Sequence, residues 1–107
     1  MNAHALSILV ADDDPMSLGP MREALLGAGY AVEFVEDVDA ALETLGATRA
    51  PILIADWLLP GGGGAELCRA IRRDPELAAT HVILVTGCSG KDNLVAGLDA
   101  GADDYLT

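Results

Sequence analysis

Aromatic side chains are almost missing: 107 residues contain one tryptophan, one phenylalanine and two tyrosines. Ring stacking therefore cannot organise the interior, and Leu, Ile, Val and Ala must. Hydrophobic residues make up 51% of the chain, enough for the core of one small domain over 1–107. Basic residues are scarce as well, with 6 Lys and Arg against 17 Asp and Glu and a net charge of -11. Such a surface repels nucleic acid and anionic membranes and attracts cations and basic partners. Direct nucleic-acid binding and membrane association are accordingly not expected. Cys68 and Cys88 fit no zinc spacing and are expected to be reduced thiols. No apolar run is long enough to span a bilayer, and Met1 to Ala5 lacks the parts of a signal peptide. The expected location is cytoplasmic.

What is present falls into two rhythms. Leu6 to Ala11 and Pro51 to Ala55 are short apolar runs that stop at Asp12 and Asp56, and His81 to Val85 stops at Thr86-Gly87. Such runs predict buried strands. Tyr30 to Val35 alternates like a strand, and Asp103 to Thr107 begins a last one. Helical spacing predicts Pro15 to Ala28, from Leu18, Met21 and Leu25 with Leu26 beside them, and Asp37 to Leu45, with Val38, Ala41, Leu42 and Leu45 inward. It also predicts Ala65 to Arg73, with Leu67, Cys68 and Ile71 inward, and Lys91 to Ala100, with Leu94, Val95 and Leu98 inward. Gly19-Pro20 predicts a kink or late start in the first helix, and Gly46 a stop to the second. The loop Leu59 to Gly64 carries Pro60 and four glycines, a permissive backbone. Strands alternating with amphipathic helices predict an α/β fold. The expected form is a flavodoxin-like, doubly wound, five-stranded parallel sheet in the order 2-1-3-4-5.

In such sheets ligands bind beyond the carboxyl ends of the strands. Those ends carry Asp12 and Asp13 after the first strand, Asp56 after the third and Thr86 after the fourth. Converging carboxylates repel one another unless a cation or proton intervenes. A hard divalent ion suits oxygen ligands, and Mg²⁺ is the natural choice, with Mn²⁺ as a substitute. An aspartate can attack phosphorus when the phosphoryl oxygens are neutralised and held in line. Thr86 would then donate a hydrogen bond to a phosphoryl oxygen, and Gly87 would leave room for the group.

Four segments in order carry a resemblance. Ile8 to Pro15 resembles the acidic opening of response regulator receiver domains. Asp56-Trp57-Leu58-Leu59-Pro60 with Gly64 resembles their phosphoacceptor loop, Val82 to Gly87 their hydroxyl-bearing strand end, and Ala100 to Leu106 the approach to their fifth strand. The resemblance covers essentially the whole chain. It implies a phosphoacceptor at Asp56, a direct metal ligand at Asp13 and an assisting one at Asp12. The backbone carbonyl of Leu58 would be a further ligand, and Thr86 and Tyr105 a coupled switch pair. It also implies a histidine kinase or phosphotransfer protein as partner, and allows a homodimer. The family places a lysine at the end of the fifth strand. This chain stops at Thr107, one position short of it, and its only lysine is Lys91. The expectation is a C-terminally truncated receiver whose final helix is absent.

Two other functions compete. Asp12 and Asp14 also resemble the Asp-x-Asp start of haloacid-dehalogenase-type phosphohydrolases, which would make Asp12 the nucleophile. A receiver-fold module acting without phosphorylation is the other. Individually the residues have plainer roles: Asp14 as a helix cap, Thr86 as a capping hydroxyl, Tyr105 as a strand aromatic, Trp57 as a rim residue without chemistry.

Overall fold

A computed structural model describes residues 7–85 and 91–106, with the backbone alone at 15–18 and 91–94. The strands are β1 (Ser7–Ala11), β2 (Ala31–Val35), β3 (Ile52–Asp56), β4 (His81–Val85) and β5 (Asp104–Leu106). The helices are α1 (Pro15–Gly27), α2 (Val38–Thr48), α3 (Gly63–Arg73) and α4 (Lys91–Asp99). All strands run parallel in the order β2-β1-β3-β4-β5, as the sequence predicts. Right-handed crossovers place α1 on one face of this sheet and α2, α3 and α4 on the other.

The two faces differ. Leu9, Ala11, Leu53, Ala55, Val82 and Leu84 alternate onto one side and are buried beneath α2 and α3. From the helices, Val38, Ala41 and Leu45 join Leu67, Cys68 and Ile71 in the same core. On the other face Ile8 and Val10 of β1 are buried as well, whereas Ile52, Ile54, Ile83 and Val85 are only half-buried. Burial pushes the pKa of the Cys68 thiol upward, so it sits in the core as an inert apolar group.

Several boundaries depart from expectation. The late start is not seen: α1 begins at Pro15 and runs to Gly27 with Pro20 inside it. Gly46 does not stop α2: the helix continues to Thr48, and Arg49 ends it in the left-handed region at φ 55°. Its N–H still donates to the Leu45 carbonyl, which satisfies one helix-end acceptor. α3 begins at Gly63 rather than Ala65, because Gly63 N–H reaches the Leu59 carbonyl at 2.8 Å and starts the turn early. The largest correction concerns α4. Val95 and Leu98 point outward, 56% and 47% exposed, while Gly97 and Ala100 face inward. Leu18 and Leu94 lie in the segments described by backbone alone.

Arg72 binds the end of α3 to the far edge of the sheet. Its guanidinium donates to the carbonyls of Gly101 (2.8 Å), Ala78 (2.9 Å) and Thr80 (2.6 Å) and to Asp103 Oδ2 (2.7 Å). Asp103 Oδ2 also accepts from Val82 N–H at 2.8 Å. That backbone hydrogen bond, and then Arg72, hold the Asp103 carboxyl below its ordinary range. A depressed carboxylate stabilises the fold above its unfolded pKa, and the benefit disappears as pH falls through the folded value. Asp103→Asn is therefore expected to lower stability at pH 7 by about 1 kcal/mol, discounted for solvent exposure. In thermal melts the gap from the parent should close below about pH 4. A gap independent of pH would contradict this assignment.

Candidate functional site

The site forms where two adjacent strands end. β1 and β3 pair with Ala11 opposite Ala55, so Asp12 and Asp56 leave the sheet side by side. Both alanines are fully buried, which anchors the two strand ends. Asp14 N–H donates to Asp12 Oδ1 at 2.8 Å, a turn that orients the Asp12 carboxylate. Oxygens of Asp12, Asp13 and Asp56 all lie within 4.8 Å of one another. Asp13 is exposed and the other two are half-buried.

The loop after Asp56 is held by backbone contacts. Trp57 N–H donates to the Val85 carbonyl (2.8 Å), and Gly64 N–H donates to the Trp57 carbonyl (3.0 Å). The Pro60 carbonyl accepts from Val38 N–H at 2.9 Å, which fastens the loop to α2. Gly61, Gly62 and Gly63 have φ values of 96°, 135° and 91°, a path L side chains rarely take. Gly64 is required for a different reason: a Cβ there would lie 2.5 Å from the Asp56 carbonyl oxygen. Leu58 turns its side chain to solvent, 70% exposed, and its N–H makes a long 3.4 Å contact to Asp56 Oδ1.

Burial raises the pKa of Asp56, and the nearby charges of Asp12 and Asp13 add to the rise, against lowering by the Leu58 and Trp57 N–H groups. The cluster thus resists full ionisation by itself and favours a cation.

A family model for the response regulator receiver domain matches residues 8–107. The chain belongs to that family. The phosphate regulon transcriptional regulatory protein PhoB of Pseudomonas aeruginosa is 35% identical over 105 residues, covering 94% of this chain and 44% of PhoB. The receiver chain thus spans less than half the length of such curated relatives. The signal receiver domain of a histidine kinase from Syntrophus aciditrophicus superposes with a TM-score of 0.88 at 35% identity, covering 96% of this chain and 78% of that one. The Mn²⁺-bound form of the response regulator Rcp1 gives a TM-score of 0.82 at 22% identity, covering 94% and 79%, a likeness of fold alone. Receivers are two-component signalling domains, and the phosphohydrolase and phosphorylation-independent alternatives gain no support from these matches.

Of the residues predicted for the site, the receiver brings together Asp12, Asp13 and Asp56. Thr86, Gly87 and Cys88 lie outside the described residues. Tyr105 sits on β5 opposite Leu84, half-buried, with its ring edge-to-face on Trp57 at 6.0 Å and 75°. Its hydroxyl is buried without a hydrogen-bond partner among the described residues. Sequence reasoning missed the Trp57–Tyr105 contact and the Arg72 anchor. Both join residues far apart in the chain, and no local pattern announces them. Among the described residues no helix is long and apolar enough to cross a membrane.

Proposed function

We propose that Asp56 accepts a phosphoryl group from a histidine kinase or phosphotransfer protein, assisted by a divalent cation. The observation that carries this reading is the convergence of three carboxylates at the ends of β1 and β3. The donor set fits: ligands around Mg²⁺ at about 2.1 Å stand no more than about 4.2 Å apart. Small side-chain movements would bring oxygens now within 4.8 Å to that spacing. Asp12, Asp13, Asp56 and the Leu58 carbonyl would hold the ion, Mg²⁺ or Mn²⁺. Bound there, it would neutralise carboxylate and phosphoryl charge. Asp56 Oδ attacks phosphorus as the phosphorus–nitrogen bond of a phosphohistidine breaks, and the leaving imidazole takes up a proton. Thr86 donates a hydrogen bond to a phosphoryl oxygen, Gly87 leaves space, and Thr86 and Tyr105 together carry the change to the surface. A homodimer is a further partner, and the setting is cytoplasmic. The excess of acidic residues speaks against direct nucleic-acid binding by this domain.

Trp57, the only tryptophan, adjoins Asp56 and reports on the site. A saturable fluorescence change on Mg²⁺ titration is expected, with affinity at least about tenfold weaker in Asp13→Asn. A folded protein that shows no change, or a variant that titrates like the parent, counts against the reading.

Leu58 also bears on lifetime. An exposed aliphatic side chain beside the acceptor cannot orient an attacking water. The aspartyl phosphate is expected to be long-lived, and Leu58→Asn to shorten its lifetime several-fold. Decay within seconds in the parent, unchanged by the substitution, would refute this.

A further inference from the structure

We propose that Trp57 is a positioning residue that couples occupancy of the acidic site to the α4–β5 surface through its contact with Tyr105. The proposal rests on Asp56 being the phosphoacceptor. Trp57 follows Asp56 directly, and its backbone is hydrogen-bonded on both sides, to Val85 at 2.8 Å and to Gly64 at 3.0 Å. A displacement of the Asp56 peptide is therefore passed to the indole rather than absorbed in a slack loop. The indole meets the Tyr105 ring edge-to-face, 6.0 Å between centroids.

α4 closes on the same pair with bare backbone. A Cβ at Gly97 would lie 3.1 Å from Tyr105 Cδ2, 3.3 Å from Leu84 Cδ1 and 3.4 Å from Trp57 Cζ3. The two rings and Gly97 thus form one contact between the site loop, α4 and β5. On the outer side of these elements Val95, Leu98 and Leu106 are 56%, 47% and 53% exposed, so a shift of the contact moves an apolar surface. The Tyr105 hydroxyl finds no hydrogen bond among the described residues. An edge-to-face pair biases such a ring between two positions by about two- to tenfold.

The test is hydrogen–deuterium exchange across residues 95–106, with and without Mg²⁺ and acetyl phosphate, alongside the mass of the intact protein. In the parent, phosphoryl uptake is expected to change exchange in this segment. In Trp57→Leu, uptake is retained and the exchange response falls by about two- to tenfold, while Trp57→Phe restores most of it. A parent without an exchange response, or a Trp57→Leu response equal to the parent's at equal uptake, overturns the proposal. If Trp57→Leu does not fold, Gly97→Ala decides, because its methyl group intrudes between the rings with Trp57 in place. A reduced response supports the coupling and an unchanged one overturns it. A parent that takes up no phosphoryl group instead removes Asp56 as acceptor, and the proposal falls with it.

Discussion

Asp56→Asn is expected to abolish phosphoryl uptake and, at the same time, to raise the melting temperature of the metal-free protein. The first effect is total because the amide nitrogen and oxygen of Asn offer no carboxylate nucleophile. The second follows from electrostatics. Asp56 is half-buried beside two other carboxylates, and burial followed by their charges raises its pKa. A carboxyl whose folded pKa lies above its unfolded value binds protons more readily in the folded state. Its ionisation opposes folding. That penalty is fully present above the folded pKa and is relieved as pH falls toward the unfolded one. Removing the charge relieves it at every pH. With the cluster open to solvent on the Asp13 side, a gain of about 1 kcal/mol is expected, or about 4–8 °C in Tm. Mg²⁺ should stabilise the parent in the same direction and do far less for the variant. Equal melting temperatures for the metal-free proteins would show that the carboxylates do not repel one another as their spacing implies.

Gly64→Ala is expected to damage both fold and site. Gly64 is the second residue of α3, and its N–H holds the Trp57 carbonyl at 3.0 Å. An added Cβ would stand 2.5 Å from the Asp56 carbonyl oxygen and 3.0 Å from Leu84 Cδ2. The first neighbour is backbone and cannot rotate away, so α3 and the Asp56–Trp57 peptide must separate. Overpacking of this kind costs about 1–3 kcal/mol. The displaced peptide belongs to the proposed phosphoacceptor, so Mg²⁺ affinity should also fall by about tenfold or more. Ala at the exposed helical Gly46, where a Cβ meets nothing within 4 Å, is the comparison that isolates the steric cause. Parent-like stability and metal affinity in Gly64→Ala would mean that the close approach is not needed.

Much of the frame could be read in the chain itself. Period and run length separate strands from helices, and the doubly wound order follows from their alternation. Once β1 and β3 are neighbours, Asp12 and Asp56 must meet. α4 departs from its sequence pattern because apolarity alone does not dictate burial. Its inward positions are Gly97 and Ala100, small enough for a close approach to Tyr105, and its larger Val95 and Leu98 face out. Gly46 predicts a stop, yet the helix ends only where Arg49 turns left-handed and its guanidinium pairs with Glu76 at 3.0 Å. The Arg72 anchor spans 31 residues to Asp103 and has no local trace. Contacts of that kind are settled by packing, not by pattern.

Phosphoryl transfer is proposed to reach one aspartate and to need the acidic cluster. The most direct measurement treats the protein with acetyl phosphate, with and without Mg²⁺, and traps the acyl phosphate by borohydride reduction for peptide mass mapping. A single modified residue is expected, Asp56, formed only with the cation and absent in Asp13→Asn at the same Mg²⁺ concentration. Modification at Asp12, or at Asp56 to the same extent without the cation, would contradict it.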